Sequence, residues 1–211
     1  MTRCPRAGVL GLQGDFERHA RSIEALGVES VKVSLPGDLE DLDALVIPGG
    51  ESSTMLRLLG LTGLREPVER FVREKPVLGT CAGVILLARE SDHLPAPTLG
   101  ALDVGATRNA YGRQIHSFTG PVDVAPLGSS FPGVFIRAPR LTRVGAGVEV
   151  VATRPDGAGG REVVGVRQGN VVGLCFHPEL TFDLRLHRWF LGEVAGLAIA
   201  ADPVPSRAEP A

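Results

Sequence analysis

Of 211 residues only three are cysteines, an odd number at scattered positions: Cys4, Cys81 and Cys175. That excludes a disulfide framework and fits free thiols in a reducing cytoplasm. No apolar run approaches the roughly 18 residues that cross a bilayer, so no membrane partner is expected. The N-terminal stretch to Gly14 carries basic residues, but its apolar part is short and runs straight into charge. It reads as a first strand and not as a signal peptide. Neither sign of charge dominates: a net charge of -2 leaves no footprint for nucleic acid. Gly11-Leu-Gln-Gly14 matches neither the dinucleotide fingerprint nor the phosphate-binding loop, so no nucleotide cofactor is expected. Cys175 and His177 have no second ligand pair at metal spacing, and no metal is expected either. There is no internal repeat.

What is present describes a folded chain, 44% hydrophobic and 22% charged, long enough for one domain. After the short run Val9–Leu12, residues Phe16, His19, Ile23 and Leu26 recur at helical spacing, and Gly27 ends the helix. Val31–Leu35 alternates like a strand. Ala44–Ile47 is continuously apolar, as buried parallel strands are, and stops at Pro48-Gly49-Gly50. Helical pattern returns at Ser53–Leu59 and Leu64–Val72. Pro76–Gly79 is another buried strand, and Ala82–Arg89 reads as a helix. This order predicts a parallel sheet with helices on both faces. From Leu99 to Val151 many short β-rich runs are broken by Gly and Pro, which suggests antiparallel strands or an irregular insertion. Val163–Val166 and Val171–Phe176 are the last apolar runs, followed by a helix over Phe182–Ala195. Residues 1–200 read as a single domain, and the small, Pro-rich residues 201–211 as a disordered tail.

Gly79-Thr-Cys-Ala-Gly83 has the form G-x-C-x-G, between a buried strand and a helix. Such a turn pushes its central residue toward strained backbone angles, and flanking glycines let neighbouring backbone pass closely. A thiol there is a candidate nucleophile, its thiolate favoured by the helix N-terminus. The plainer alternative is a small buried residue at a tight turn. Cys4, in the N-terminal arm, and Cys175, in an apolar strand, are read as inert.

A thiol nucleophile needs a base, and the base an orienting group. His177 follows the last apolar run, so it sits at a strand's C-terminal end, where open α/β sheets bind ligands. Cys81 lies at a similar end. Glu179, beyond the stiffening Pro178, can hold the other ring nitrogen. Otherwise His177 is a capping or loop histidine. His19, His93, His116 and His187 have no comparable partner pattern. Pro48-Gly-Gly-Glu-Ser-Ser53 also follows a strand and opens a helix. Its glycines can present N–H groups to an oxyanion, or Ser52 or Ser53 can simply cap the helix.

These pieces, a GGE loop, G-x-C-x-G and H-P-E in that order, resemble the class I (triad) glutamine amidotransferases. Gly11-Leu-Gln-Gly-Asp-Phe-Glu-Arg-His19, Pro48-Gly-Gly-Glu-Ser-Ser-Thr54, Gly79-Thr-Cys-Ala-Gly83, Arg108-Asn-Ala-Tyr-Gly-Arg-Gln114 and Phe176-His-Pro-Glu-Leu-Thr181 carry a closer resemblance, which the Gly-Leu-Gln-Gly-Asp opening and the Arg-Asn segment narrow. They are similar to the glutaminase subunits of two-protein pyridoxal 5'-phosphate synthases, from about Gly8 to Leu197. The resemblance implies a flavodoxin-like, mostly parallel sheet with a β-rich insertion. It implies Cys81 as nucleophile, His177 as base and Glu179 as orienter. It implies L-glutamine held by Gly50, Glu51, Ser52, Arg108, Ile136 and Arg137, and an oxyanion hole from the Gly50 and Ala82 N–H groups. It also implies a cytoplasmic hetero-oligomer in which ammonia passes to a synthase subunit. Another triad amidotransferase, a related thiol hydrolase and a catalytically silent partner-binding subunit are the competing readings.

Overall fold

The computed structural model describes residues 3–108 and 117–201. Residues 109–116, with most of the Arg-Asn segment and His116, and the tail from 202 lie outside them.

Five strands form the parallel half of a nine-stranded sheet: β1 (Arg6–Leu10), β2 (Glu29–Val33), β3 (Ala44–Ile47), β4 (Val77–Thr80) and β12 (Val171–Leu174), ordered β2-β1-β3-β4-β12. This is the flavodoxin-like order, with its reversal of direction between β1 and β3. β3, β4 and β12 are buried along their whole length. That explains their unbroken apolar sequences, since a strand covered on both faces has no polar side to show.

The helices α1 (Phe16–Glu24), α2 (Ser52–Leu61) and α3 (Arg65–Glu74) lie in the crossovers, and α4 (Ala82–Leu87) follows β4. The β1-α1-β2 crossover runs one way along the sheet and β3-α2-α3-β4 the other, so right-handed connections put α1 and the α2–α3 pair on opposite faces. α5 (Arg185–Trp189) joins α1 on its face, because His19 and His187 meet there.

The β-rich stretch is more regular than its sequence suggests. β7 (Ser117–Val124), β8 (Ser129–Ile136), β10 (Glu149–Pro155) and β11 (Arg161–Gln168) continue the main sheet antiparallel, in the order β12-β11-β10-β7-β8. β5 (Ala88–Ser91), β6 (Leu102–Thr107) and β9 (Arg140–Val144) form a separate three-stranded sheet. The antiparallel half curls back over β12: the His177 N–H donates to the Val134 carbonyl at 2.8 Å. Phe131 and Phe135 close this curl on Phe176, with ring centroids 6.0 and 5.6 Å apart. One apolar core runs through both halves.

Helix boundaries differ from the sequence expectation by a residue or more, and two of the differences have a visible cause. α4 stops at Leu87 and not Arg89, because Ala88 turns extended and pairs with β6. The last helix starts at Arg185 and not Phe182. Before it, Thr181 Oγ1 accepts from the Asp183 N–H and Asp183 Oδ1 from the Arg185 N–H, local bonds that compete with helix. After Trp189 the chain continues in π turns through Phe190–Val194. Among the described residues, no helix is long and apolar enough to cross a membrane.

Candidate active site

Three neighbouring parallel strands end at one place. β4 and β12 pair in register, Thr80 opposite Leu174, and the Cys81 N–H donates to the Leu174 carbonyl at 2.8 Å. The next residues along each strand therefore share an edge: Cys81 after β4, His177 after β12, and Gly49-Gly50 after β3. β1 delivers Gln13 and Gly14 to the same edge.

Cys81 has φ 49° and ψ -107°, the strained elbow its surroundings suggest. Residues other than glycine adopt such angles at a cost of order 1–3 kcal/mol, which the packing around them must offset. The packing here is close. A Cβ at Gly83 would overlap the Ile47 carbonyl oxygen, and one at Gly79 would lie 2.7 Å from the Gly83 carbonyl carbon. Glycine at both positions lets α4 sit directly on β3 and β4.

His177 faces Cys81 on one side and Glu179 on the other. Its Nδ1–H donates to Glu179 Oε1 at 2.7 Å, and the ring is within hydrogen-bonding reach of the Cys81 thiol. The Cys81 Sγ also lies 3.8 Å from the Ile136 carbonyl oxygen. Burial alone would push the His177 imidazole down, but its bonds to Cys81 and Glu179 outweigh this and raise it to about 10. Burial pushes Glu179 up, and the neighbouring His19 and His177 reverse that, leaving it at about 2. His177 is thus an imidazolium and Glu179 a carboxylate at neutral pH. Cys175, fully buried, has its thiol pushed up by desolvation, while Cys4 is exposed.

These groups open into a cavity of about 650 Å³. Its wall includes Gly50, Glu51, Ser52, Cys81, Ala82, Arg108, Ile136, Arg137 and His177. Glu179 stands behind His177 and does not line it. So the structure brings all the sequence candidates together, eight around the cavity with Cys81 and one in support. Arg108 Nη1 donates to Ser52 Oγ at 3.4 Å and to Ser53 Oγ, and lies 3.6 Å from Glu51 Oε1. Arg137 is held at φ 44° at the end of β8.

The cap of α2 is Glu51, not Ser52 or Ser53. Its carboxylate accepts from the Ser53 N–H at 3.1 Å and the Thr54 N–H at 2.7 Å. Burial would raise its pKa, but the bonds from Thr54 and Ser53 prevail and hold it at about 2.

Sequence reasoning missed three residues. Gln13 lines the cavity, and its Oε1 accepts the Glu51 N–H at 3.1 Å, which ties the first loop to the glycine loop. Its place just after a strand was the available signal. His19 and His187, read as lacking partners, are buried behind Glu179: His19 Nε2 lies 3.2 Å from Glu179 Oε2. Their apolar helical spacing hid them.

Comparison with known proteins finds relatives along most of the chain. Residues 9–196 match the model of the SNO glutamine amidotransferase family. The chain is 47% identical over 197 residues to the pyridoxal 5'-phosphate synthase subunit PdxT of Geobacillus kaustophilus, covering 93% of this chain and 98% of that one. It is 51% identical over 191 residues to the subunit of the same name from Deinococcus radiodurans, covering 88% and 95%. Among solved structures it superposes with a TM-score of 0.83 on a glutamine amidotransferase with 47% identity, covering 90% of this chain and 99% of that one.

Proposed function

The chain belongs to the SNO glutamine amidotransferase family, and from that premise we propose how its own residues perform the reaction. It is a glutamine-hydrolysing amidotransferase subunit of pyridoxal 5'-phosphate synthase, a two-component enzyme. The acceptor of its ammonia is a separate synthase subunit, with which it forms a hetero-oligomer.

Glutamine enters the cavity with its side-chain amide toward Cys81. Arg108 and Arg137 pair with its α-carboxylate, the fork geometry that arginine favours. The Cys81 thiolate attacks the amide carbon, and the N–H groups of Gly50 and Ala82 receive the developing oxyanion. His177, protonated, donates to the departing nitrogen, and ammonia leaves a γ-glutamyl thioester on Cys81. Neutral His177 then takes a proton from water, which attacks the thioester and releases glutamate. Glu179 accepts the Nδ1–H throughout, fixing the tautomer and favouring the imidazolium.

The observation that carries this reading is the 2.7 Å contact of His177 Nδ1 with Glu179 Oε1, on a ring whose other side meets Cys81 at its strained turn. The test is ammonia release from glutamine by wild type, Cys81→Ala and His177→Ala, each mixed with the synthase subunit. Only wild type should turn over, and a well-folded Cys81→Ala protein at substantial rate would overturn the assignment.

A further inference from the structure

Behind the triad lies a pair of buried histidines that hydrolysis, as derived above, does not use. His19 on α1 is 0% exposed and His187 on α5 is 1% exposed. His19 Nδ1 stands 3.0 Å from His187 Nε2. On its other side, His19 Nε2 is 3.3 Å from Thr80 Oγ1, the residue before the nucleophile, and 3.2 Å from Glu179 Oε2. Glu179 Oε1 is already occupied by His177. Glu179 Oε2 is buried and makes no aligned hydrogen bond among the described residues, and His19 Nε2 is the ring nitrogen that faces it at 3.2 Å.

The chemistry of the partners selects the protonation of both rings. An ionised carboxylate only accepts, so the ring nitrogen beside it must carry hydrogen. That places N–H at His19 Nε2, bonded to Thr80 Oγ1 with its positive end turned to Glu179 Oε2 at 3.2 Å, and a lone pair at Nδ1. His187 must then present Nε2–H to that lone pair. Its own Nδ1, which lacks a partner, is left as a bare acceptor. The opposite arrangement would set a lone pair against the carboxylate and bury an unpaired N–H on His187, the more costly orphan. Burial disfavours charge on both rings, so neutral tautomers are the forms to place here.

We propose that His19, held in its Nε2–H form by His187, is a positioning residue for glutamine hydrolysis: it holds the far oxygen of Glu179 so that the near oxygen faces His177. The proposal rests on Glu179 acting as the acid of the triad. His19 is not among the residues that line the cavity, so it acts on kcat through Glu179 and leaves KM alone.

Three variants, assayed with the synthase subunit present, test this. His19→Leu removes the donor at similar bulk, and kcat should fall roughly 10- to 100-fold, the range of a hydrogen bond to a charged group, with KM unchanged. His19→Gln keeps an N–H near the Nε2 position and should recover most of the loss, which a purely space-filling role would not produce. Glu179→Gln, run alongside, separates the two levels. If it keeps the full rate, the triad reading fails. If it is impaired while His19→Leu turns over at the wild-type kcat, only the positioning role fails. A His19→Gln protein no better than His19→Leu also overturns the proposal. Should His19→Leu not fold, nitrogen-15 spectra of the wild-type histidines decide: a neutral Nε2–H tautomer at His19 is expected, and an Nδ1–H tautomer or an imidazolium contradicts it.

Discussion

Adding one methyl group at Gly49 should disable the site without unfolding the protein. Gly49 does not use a left-handed backbone, so alanine can take its place in the chain. The trouble is what the new carbon meets. It would overlap His177 Cε1 and stand 3.2 Å from His177 Nδ1 and 3.3 Å from Cys81 Cβ. The imidazole cannot simply turn aside, because its Nδ1 is tied to Glu179 at 2.7 Å. Restoring ordinary contact at roughly 3.5–4.0 Å moves the ring by about 1 Å. That either lengthens the bond to Glu179 or withdraws the ring from Cys81, and a misplacement of this size costs about 10²-fold in rate. Overpacking costs about 1–3 kcal/mol, and about 2–4 °C of Tm per kcal/mol in a chain of this length, so the fold should survive. Gly60, inside α2, is the control: a Cβ there meets nothing within 4 Å. Gly60→Ala should leave the rate unchanged and add about 0.5–1 kcal/mol of stability. The assay is kcat/KM for glutamine with the synthase subunit, beside thermal melts of all three proteins. A well-folded Gly49→Ala enzyme at the wild-type rate would refute the packing argument.

Three further outcomes are expected. Glu179→Gln removes one of the influences that hold His177 at about 10, so the imidazolium should be lost at lower pH than in wild type. The alkaline limb of Cys81 alkylation should shift down accordingly, and an unmoved limb would show that Glu179 does not govern His177. The folded state should weaken below pH 6.5, because burial holds His187 at about 3 and the unfolded chain therefore binds more protons between those values. By pH 5 the loss is on the order of 2 kcal/mol. Urea midpoints at pH 7 and 5 should separate less in His187→Phe than in wild type, and equal separations would remove His187 as the cause. Finally, the isolated chain should be a poor glutaminase that the synthase subunit activates, with Pro48-Gly49-Gly50 the loop that presents an oxyanion donor. One absent donor costs about 10²–10³ in rate. Gln13→Ala, which frees the Glu51 N–H, should alter that activation, and equal rates with and without bound synthase would mean that the loop needs no partner.

The parallel half was legible because its signals are local. A strand buried on both faces, such as Ala44–Ile47, must be continuously apolar, and its bounds in the structure are those read from the sequence. The G-x-C-x-G turn announced close backbone approach, which the contacts at Gly79 and Gly83 bear out. The antiparallel half was legible as β-rich but not in its strand order, because pairing such as that of β10 with β7 joins strands distant in sequence. The same holds for His19: helical spacing placed it on the apolar face of α1, but nothing near it in sequence reveals a carboxylate across the sheet edge. At Ala88 pairing with β6 overrode helical propensity, and at Thr181 and Asp183 short polar side chains delayed a helix that the apolar pattern began too soon.

The most direct measurement is the site of covalent labelling by a diazo-ketone analogue of glutamine. The synthase-bound protein is digested after inactivation and its three cysteine peptides are read by mass spectrometry. The label should fall on Cys81, be blocked by excess glutamine, and form more slowly in His177→Ala and Glu179→Gln. Exposed Cys4 is the natural competitor for a merely reactive thiol, whereas Cys175 is buried. Inactivation that tracks label on Cys4 or Cys175, with Cys81 unmodified, would contradict Cys81 as the nucleophile.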